Sequence, residues 1–406
     1  MSDYLFFFGR TPKLAEVELL GFFPNAKRFL EDSAIVAKEE FEAKGLTPID
    51  WVQKLGGVVK IAVIAASVSS VTPEAVASVV AGELHDKRLT FGVSAGEGDQ
   101  PVTRTFLEKT KTILESQGHR VRFIESRHGN ALSSVVIAKN DLIDVTFIKD
   151  QGEFLLTRTE AVQDFESWNM RDYGRPYADP KSGMLPPKVA RMVINIARGS
   201  VIPATEPGSS VEGIPGQARN DKGPIFLDPF CGMGTIVGEA VLAGWQVIGS
   251  DQSEEVVEKA KKNLEWLMAH DSRNRGTLIP GISDHMELFV SDATHVSEHL
   301  KPESIDAIVT EPFMGSADIK FENIKNTIKG LEKLYIGCLR DWYRVLKPGG
   351  RVVIALPEYR IEDKIFFVKK VIDRCENLGY TKLHGPIEYS RPQAVVRRQF
   401  YIFRKK

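Results

Sequence analysis

The sequence predicts an α/β protein in two parts, an α+β N-terminal region followed by a C-terminal domain built on a doubly wound parallel sheet. Three observations carry this. The 406 residues suffice for two or three domains, each burying its own core. From "GPIFLDPFCGMGTIVGEAVLAG" onward, short apolar runs alternate regularly with amphipathic ones, the pattern of strands joined by crossover helices. The first 155 or so residues mix strands and helices without that alternation and without a dinucleotide loop.

In order, "YLFFFG" and "GVVKIAVIA" read as strands, and "TPEAVASVVAGELHDK" and "PVTRTFLEKTKTILESQG" as helices. "RVRFIES", "SSVVIAK" and "DLIDVTFIKD" then read as three further strands. The second part gives strands "IFLD", "QVIGSD", "MELFVSD" and "SIDAIVTEP", with the helix "SEEVVEKAKKNLEWLMAH" between the second and third. A long helix ending at "RVL" is stopped by the turn Lys347-Pro348-Gly349-Gly350. After it come the strand "RVVIALP", a helix from Ile361 to Leu378, and closing strands "KLHGPIEYS" and "RRQFYIFRK". "GSVIPATEPGSSVEGIPGQARNDKG" is rich in Gly, Pro and Ser and reads as a mobile surface insertion over 200–223.

Composition narrows the class. With 43% hydrophobic and 26% charged residues and a formal net charge of -1, the chain reads as an ordinary globular protein. A local basic face remains compatible with that total. The three cysteines, Cys231, Cys338 and Cys375, are too few and too far apart for a disulfide framework or a Cys-x-x-Cys metal site, so no metal is expected and a reducing cytoplasm fits. "MSDYLFFFGR" lacks the basic start of a signal peptide, and the most apolar stretch is interrupted by Lys60, so no membrane partner is expected.

The chemistry concentrates at strand ends. "FLDPFCGMGT" runs from a strand through Gly232 and Gly234 into a helix, where glycines let a ligand approach the backbone and the helix presents free N–H groups. A turn without ligand is the alternative. Asp228 ahead of the glycines repels pyrophosphate and suits a cation, which favours S-adenosylmethionine over a dinucleotide. Asp251 closes the next strand about 20 residues later, where an acid accepts both ribose hydroxyls. For that residue alone, a solvated strand-end acid is the competing reading. Asp292 closes a third strand and suits an adenine amino group. The fourth strand ends in Glu311-Pro312-Phe313-Met314, beside the position expected for the ligand's methyl group.

"TEPFMG" resembles the Asp-Pro-Pro-Tyr motif of amino-methyltransferases. More narrowly, "GRPYADPKSGMLPPKVARMVINIA" followed by "LDPFCGMGT" resembles the THUMP-containing tRNA guanine-N2 methyltransferases, with Pro187-Lys188-Val189-Ala190-Arg191 matching their Pro-Lys-Leu-Ala-Arg helix. The resemblance spans essentially the whole chain, in layout more than in residues over the first half. It implies a ferredoxin-like segment over 1–59, a THUMP-like RNA-binding module over 60–155, a linker over 156–180 and a Rossmann-like class I methyltransferase domain over 181–406. It adds Leu185, Phe230, Thr235 and Ala293 to the cofactor site. Candidate RNA contacts are Arg104, Lys109, Lys111, Arg120, Arg122 and Arg127, a basic set in a neutral chain. The implied partner is tRNA, at a guanosine near the D-arm junction, with a small activating subunit as a candidate second partner.

Methylating an exocyclic amine requires its delocalised lone pair to be localised. A carboxylate and a main-chain carbonyl accepting the two amino hydrogens do this, while a proline stiffens the turn and a ring stacks on the flipped base. Glu311 keeps the carboxylate and Pro312 the stiff turn; Phe313 and Met314 supply a neighbouring ring and a thioether. Glutamate is one methylene longer, roughly 1.3 Å, and about 1 Å of misplacement costs on the order of 100-fold in rate. Two further readings compete: an RNA-binding protein with an impaired methyltransferase domain, and a DNA amino-methyltransferase.

Overall fold

The structure is a computed structural model describing residues 2–82, 89–96, 99, 101–126, 131–178, 184–198, 223–270, 286–315, 321–361, 363–390 and 394–406. The chain divides into two compact units, Met1–Phe165 and Glu166–Lys406. Arg127 and nearly all of the expected insertion over 200–223 lie outside the described residues.

The first unit runs β1 (Tyr4–Phe8), α1 (Pro12–Leu20), β2 (Lys27–Leu30), β3 (Ser33–Val36), α2 (Lys38–Glu42), α3 (Pro48–Lys54) and β4 (Val58–Val68). It continues with α4 (Pro73–Ala81), β5 (Leu89–Ala95), α5 (Arg104–Ser116), β6 (Val121–Phe123), α6 (Ser134–Asn140), β7 (Ile143–Asp150) and β8 (Glu153–Val162). These strands form one sheet in the order β2-β3-β1-β4-β8-β7-β5-β6. The expected break at 59/60 therefore falls inside β4, which pairs β1 on one side and β8 on the other. Lys60, which interrupts the apolar run, is a cross-strand tie: its ammonium lies 3.1 Å from the buried Asp144 of β7, which also accepts from Thr159 of β8 and Ser94 of β5. A buried carboxylate so fully satisfied fixes strand register instead of destabilising the sheet.

Two sequence expectations fail here for local reasons. "SSVVIAK" is helix α6 and not a strand, because Ser133 accepts the Val136 N–H as an N-cap and Ile137 buries against Leu132 and Leu142. The expected linker over 156–180 begins inside β8 and contains α7 (Phe165–Tyr173), so the chain changes unit at 165/166.

The second unit continues with α8 (Pro187–Arg198), β9 (Ile225–Asp228), α9 (Thr235–Leu242), β10 (Gln246–Asp251), α10 (Glu254–His270), β11 (Met286–Val290) and β12 (Ile305–Thr310). Then follow α11 (Ile324–Val345), β13 (Leu346–Ile361), β14 (Lys364–Phe367), α12 (Lys369–Arg374), β15 (Tyr380–Tyr389) and β16 (Val396–Lys405). The sheet order is β11-β10-β9-β12-β13-β16-β15, parallel from β11 to β13 and antiparallel beyond, with β14 paired to β13. On one face α11 packs Leu331, Tyr335, Leu339 and Trp342 into an extended apolar cluster of this unit.

The expected turn at Lys347–Gly350 is a bulge. Ile305 pairs Leu346 but Ala307 pairs Arg351, so the four residues loop out opposite Asp306, with Gly349 left-handed and Lys347 Nζ 2.7 Å from Asp306. The helix expected over 361–378 is mostly absent. β13 reaches Ile361, turns through the left-handed Asp363 and returns as β14, where Phe366 and Phe367 pack on the cluster, leaving α12 six residues. Before the sheet, Arg171 of α7 places Nη1 2.8 Å from both Glu239 oxygens, and Arg191 of α8 lies 2.7 Å from one of them. All three side chains are at most 4% exposed, so this triad seats both helices against α9. No described helix is long and apolar enough to cross a membrane.

Candidate active site

Parallel pairing aligns the carboxyl ends of β11, β10, β9 and β12, so Asp292, Asp251, Asp228 and Glu311 follow one another along one sheet edge. Asp228 is 1% exposed and accepts from Thr310 Oγ1 at 2.7 Å and from the Phe230 N–H at 3.2 Å. Burial pushes its carboxyl up to about 7; Asp251 and Glu311 push the same way, and the two hydrogen bonds oppose. Among the described residues no cation pairs with it.

Gly232 and Gly234 have φ of +50° and +82°, conformations that cost other residues strain. Gly234 occupies the N-cap of α9 without a side-chain cap, and Thr235 opens the helix, its hydroxyl accepting from Arg175 Nη1. The turn is tied to the next strand: Asp251 accepts from the Gly232 N–H at 3.3 Å and from the Ser253 N–H at 3.0 Å. Asp292 accepts from the Thr294 backbone and hydroxyl at 2.8 and 2.7 Å, which hold its carboxyl below the usual range. Ala293 is buried and gives its carbonyl to Trp342 Nε1 at 2.9 Å, while Phe230 meets the same indole edge-on. Leu185 is buried just ahead of α8.

Glu311 follows β12 directly. Its Oε1 accepts from Arg398 Nε of β16, with the two side chains 17% and 9% exposed. The backbone beyond is clamped by two fully buried tyrosines: Tyr335 OH donates to the Phe313 carbonyl at 2.6 Å, and Tyr359 OH donates to the Met314 carbonyl. Pro312 is buried, and among the described residues its carbonyl carries no hydrogen bond. Phe313 projects outward, 60% exposed, and the left-handed Gly315 (φ +86°) ends the described part of the loop. Thr310, Tyr335, Tyr359 and Arg398 carry no motif signal, and sequence reasoning misses them.

The basic set lies in the first unit. Arg104 and Lys111 of α5 pair with Glu108 and Glu115 one turn on, and Arg104 also approaches Glu125 at 3.9 Å. Arg122 of β6 donates to Thr90 at 2.7 Å. Lys109 sits five positions from Arg104 on the helix, on another face and near Glu74 of α4, and Arg120 precedes β6. These residues are thus partly neutralised, and they do not all share one face.

A family model described as a methyltransferase domain matches residues 220–388. A tRNA (guanine(10)-N2)-dimethyltransferase of Methanothermobacter thermautotrophicus is 33% identical over 220 residues, 54% of this chain and 51% of the relative. One of the same description from Pyrococcus abyssi is 26% identical over 296 residues, 72% of each chain. The match to the first thus spans about half of that relative's length. Among solved structures, TrmN from Thermus thermophilus aligns over 100% of both chains at 17% identity with a TM-score of 0.53, a likeness of fold. Strand order, strand-end acids and these matches together give the second unit the Rossmann-like fold of the class I methyltransferases.

Proposed function

We propose that the protein is an S-adenosylmethionine-dependent methyltransferase acting on the exocyclic N2 amine of a guanosine in tRNA, with the first unit as a THUMP-like RNA-binding region. The observation that carries this is the run of Asp292, Asp251, Asp228 and Glu311 along one edge, next to a turn whose backbone acceptors are allocated. Both curated relatives described above are tRNA guanine dimethyltransferases by description. A tRNA substrate agrees with a cytoplasmic setting.

The residues fit the cofactor. Asp228 is a buried carboxylate lacking a cation among the described residues, as an ammonium site requires. A Cβ at Gly232 would meet only the Phe230 carbonyl at 4.0 Å, so the turn leaves room above it. Asp251 would receive the ribose hydroxyls and Asp292 the adenine amino group, with Leu185, Phe230, Thr235 and Ala293 around them. When bound, S-adenosylmethionine supplies an electrophilic methyl group.

The chain's own part is to make the amine nucleophilic. Glu311 and the Pro312 carbonyl accept its two hydrogens and favour a pyramidal nitrogen whose lone pair points at the methyl position. Tyr335 and Tyr359 occupy the next two carbonyls, which leaves the Pro312 carbonyl as the acceptor and holds it in place. Glu311 takes up the proton released as nitrogen becomes secondary. Phe313 and Met314 flank the base.

Incubation with tritiated cofactor and total tRNA, followed by nucleoside mass spectrometry, tests this: label should appear in N2-methylated guanosine. RNA binding without transfer, across tRNA from several sources, would refute it. In competition at fixed salt, duplex DNA should displace far less product than tRNA does.

A further inference from the structure

We infer that Arg398 is the positioning residue for the Glu311 carboxylate, an inference resting on the function proposed above. The motif carries glutamate where the Asp-Pro-Pro-Tyr pattern it resembles has aspartate, and an extra methylene adds a rotatable bond to a group whose placement must hold within about 1 Å. A side chain of that length needs a lateral anchor. Arg398 supplies it from β16, a strand separated from β12 only by β13.

The anchor is itself fixed. Arg398 pairs with Pro357 of β13 and Tyr389 of β15 in the sheet register, and its guanidinium carbon lies 5.7 Å from the Tyr389 ring centroid, a cation–π distance. Arg398 and Tyr389 are both 8% exposed. A planar guanidinium so confined loses little freedom when it donates to a carboxylate, unlike an ammonium on a free stem. Its donation to Oε1 holds the carboxylate from the β16 side of the sheet.

The charge matters as well as the geometry. Glu311 also faces Asp228 of β9 and Tyr335 of α11. Tyr335 is a neutral donor, and Asp228, when ionised, opposes a second negative charge. Arg398 is a cation paired with Glu311, and its positive charge favours the ionised carboxylate that can accept a proton. Removing it would raise the Glu311 pKa and free the side chain to rotate.

The experiment compares wild type with Arg398→Gln and Arg398→Lys, using protein labelled at glutamate Cδ with carbon-13 and Glu311→Gln to assign the resonance. In Arg398→Gln the Glu311 titration should move up by about one pH unit or more. Turnover should fall ~30- to 100-fold with the KM for cofactor within about 3-fold, and the acid limb of the pH profile should move with the titration. Arg398→Lys should restore the titration but only part of the turnover, since it returns the charge without the fork. An unmoved titration in folded Arg398→Gln, or full turnover in it, overturns the inference. A titration shift between wild type and Arg398→Gln, with no methylation of tRNA by wild type, keeps the pairing and refutes the function instead.

Discussion

The cofactor edge and the Glu311 loop lie side by side yet are held in different ways. Along the edge most of the acids are positioned by their own neighbourhood, Asp251 by Ser253 two residues on and Asp292 by Thr294, with the turn set by left-handed glycines. Asp228 also takes a distant donor, Thr310. The loop is positioned from afar, by Tyr335, Tyr359 and Arg398 at separations of 22, 45 and 87 residues. On the proposed function, binding geometry is thus encoded mainly by short-range contacts, and catalytic geometry depends on the whole second unit being folded. Mutations should therefore separate cofactor affinity from turnover.

The largest separation should come from Glu311→Gln. Removing the proton acceptor should lower kcat by at least ~1000-fold while the cofactor Kd, measured calorimetrically, changes less than ~3-fold. Residual turnover near wild type would unseat Glu311 as the base.

Asp228→Asn should do the reverse, weakening cofactor about 100-fold by removing the charge proposed to meet its ammonium. The same change should stabilise the ligand-free protein. Because burial raises the folded carboxyl to about 7 while an unfolded aspartate titrates near 3.9, the folded state binds the proton more tightly. Its contribution is present below about pH 3.9 and is lost as pH rises towards 7, on the order of 2–4 kcal/mol. Urea melts across pH 4–8 should show that decline in wild type and a flatter profile in Asp228→Asn.

A smaller effect is expected from Tyr335→Phe, which frees the Phe313 carbonyl and loosens the acceptor turn. About 10-fold in kcat, with cofactor binding unaltered, would place the clamp on the catalytic side of the division. An equal loss in affinity would blur it. Smallest is Gly234→Ala: at φ +82°, with Ala260 Cβ 3.4 Å from the new methyl, it should cost roughly 1–2 kcal/mol of stability and shift cofactor affinity more than kcat.

This division also explains what was legible in the sequence. Strand-to-helix alternation, Gly232, Gly234 and the strand-end acids follow short-range rules, and the structure places them on one edge as that pattern requires. Arg398 was invisible because nothing near it in sequence suggests an active site, and the sheet alone brings β16 to β12. Likewise "SSVVIAK" looked like a strand by its β-branched residues until a serine cap and a burial site decided otherwise. The helix expected at 361–378 yielded to a hairpin because two phenylalanines had a core to enter.

The triad of Arg171, Glu239 and Arg191 sets where the second unit can be cut free. A fragment beginning at the alternation near residue 220 would strand Glu239 without either cation, and one beginning at Pro187 would keep only Arg191. Losing a buried partner costs about 3–5 kcal/mol, a large part of what a domain this size has to spare. An excised second unit should therefore begin at or before Glu166, more than fifty residues ahead of its first strand.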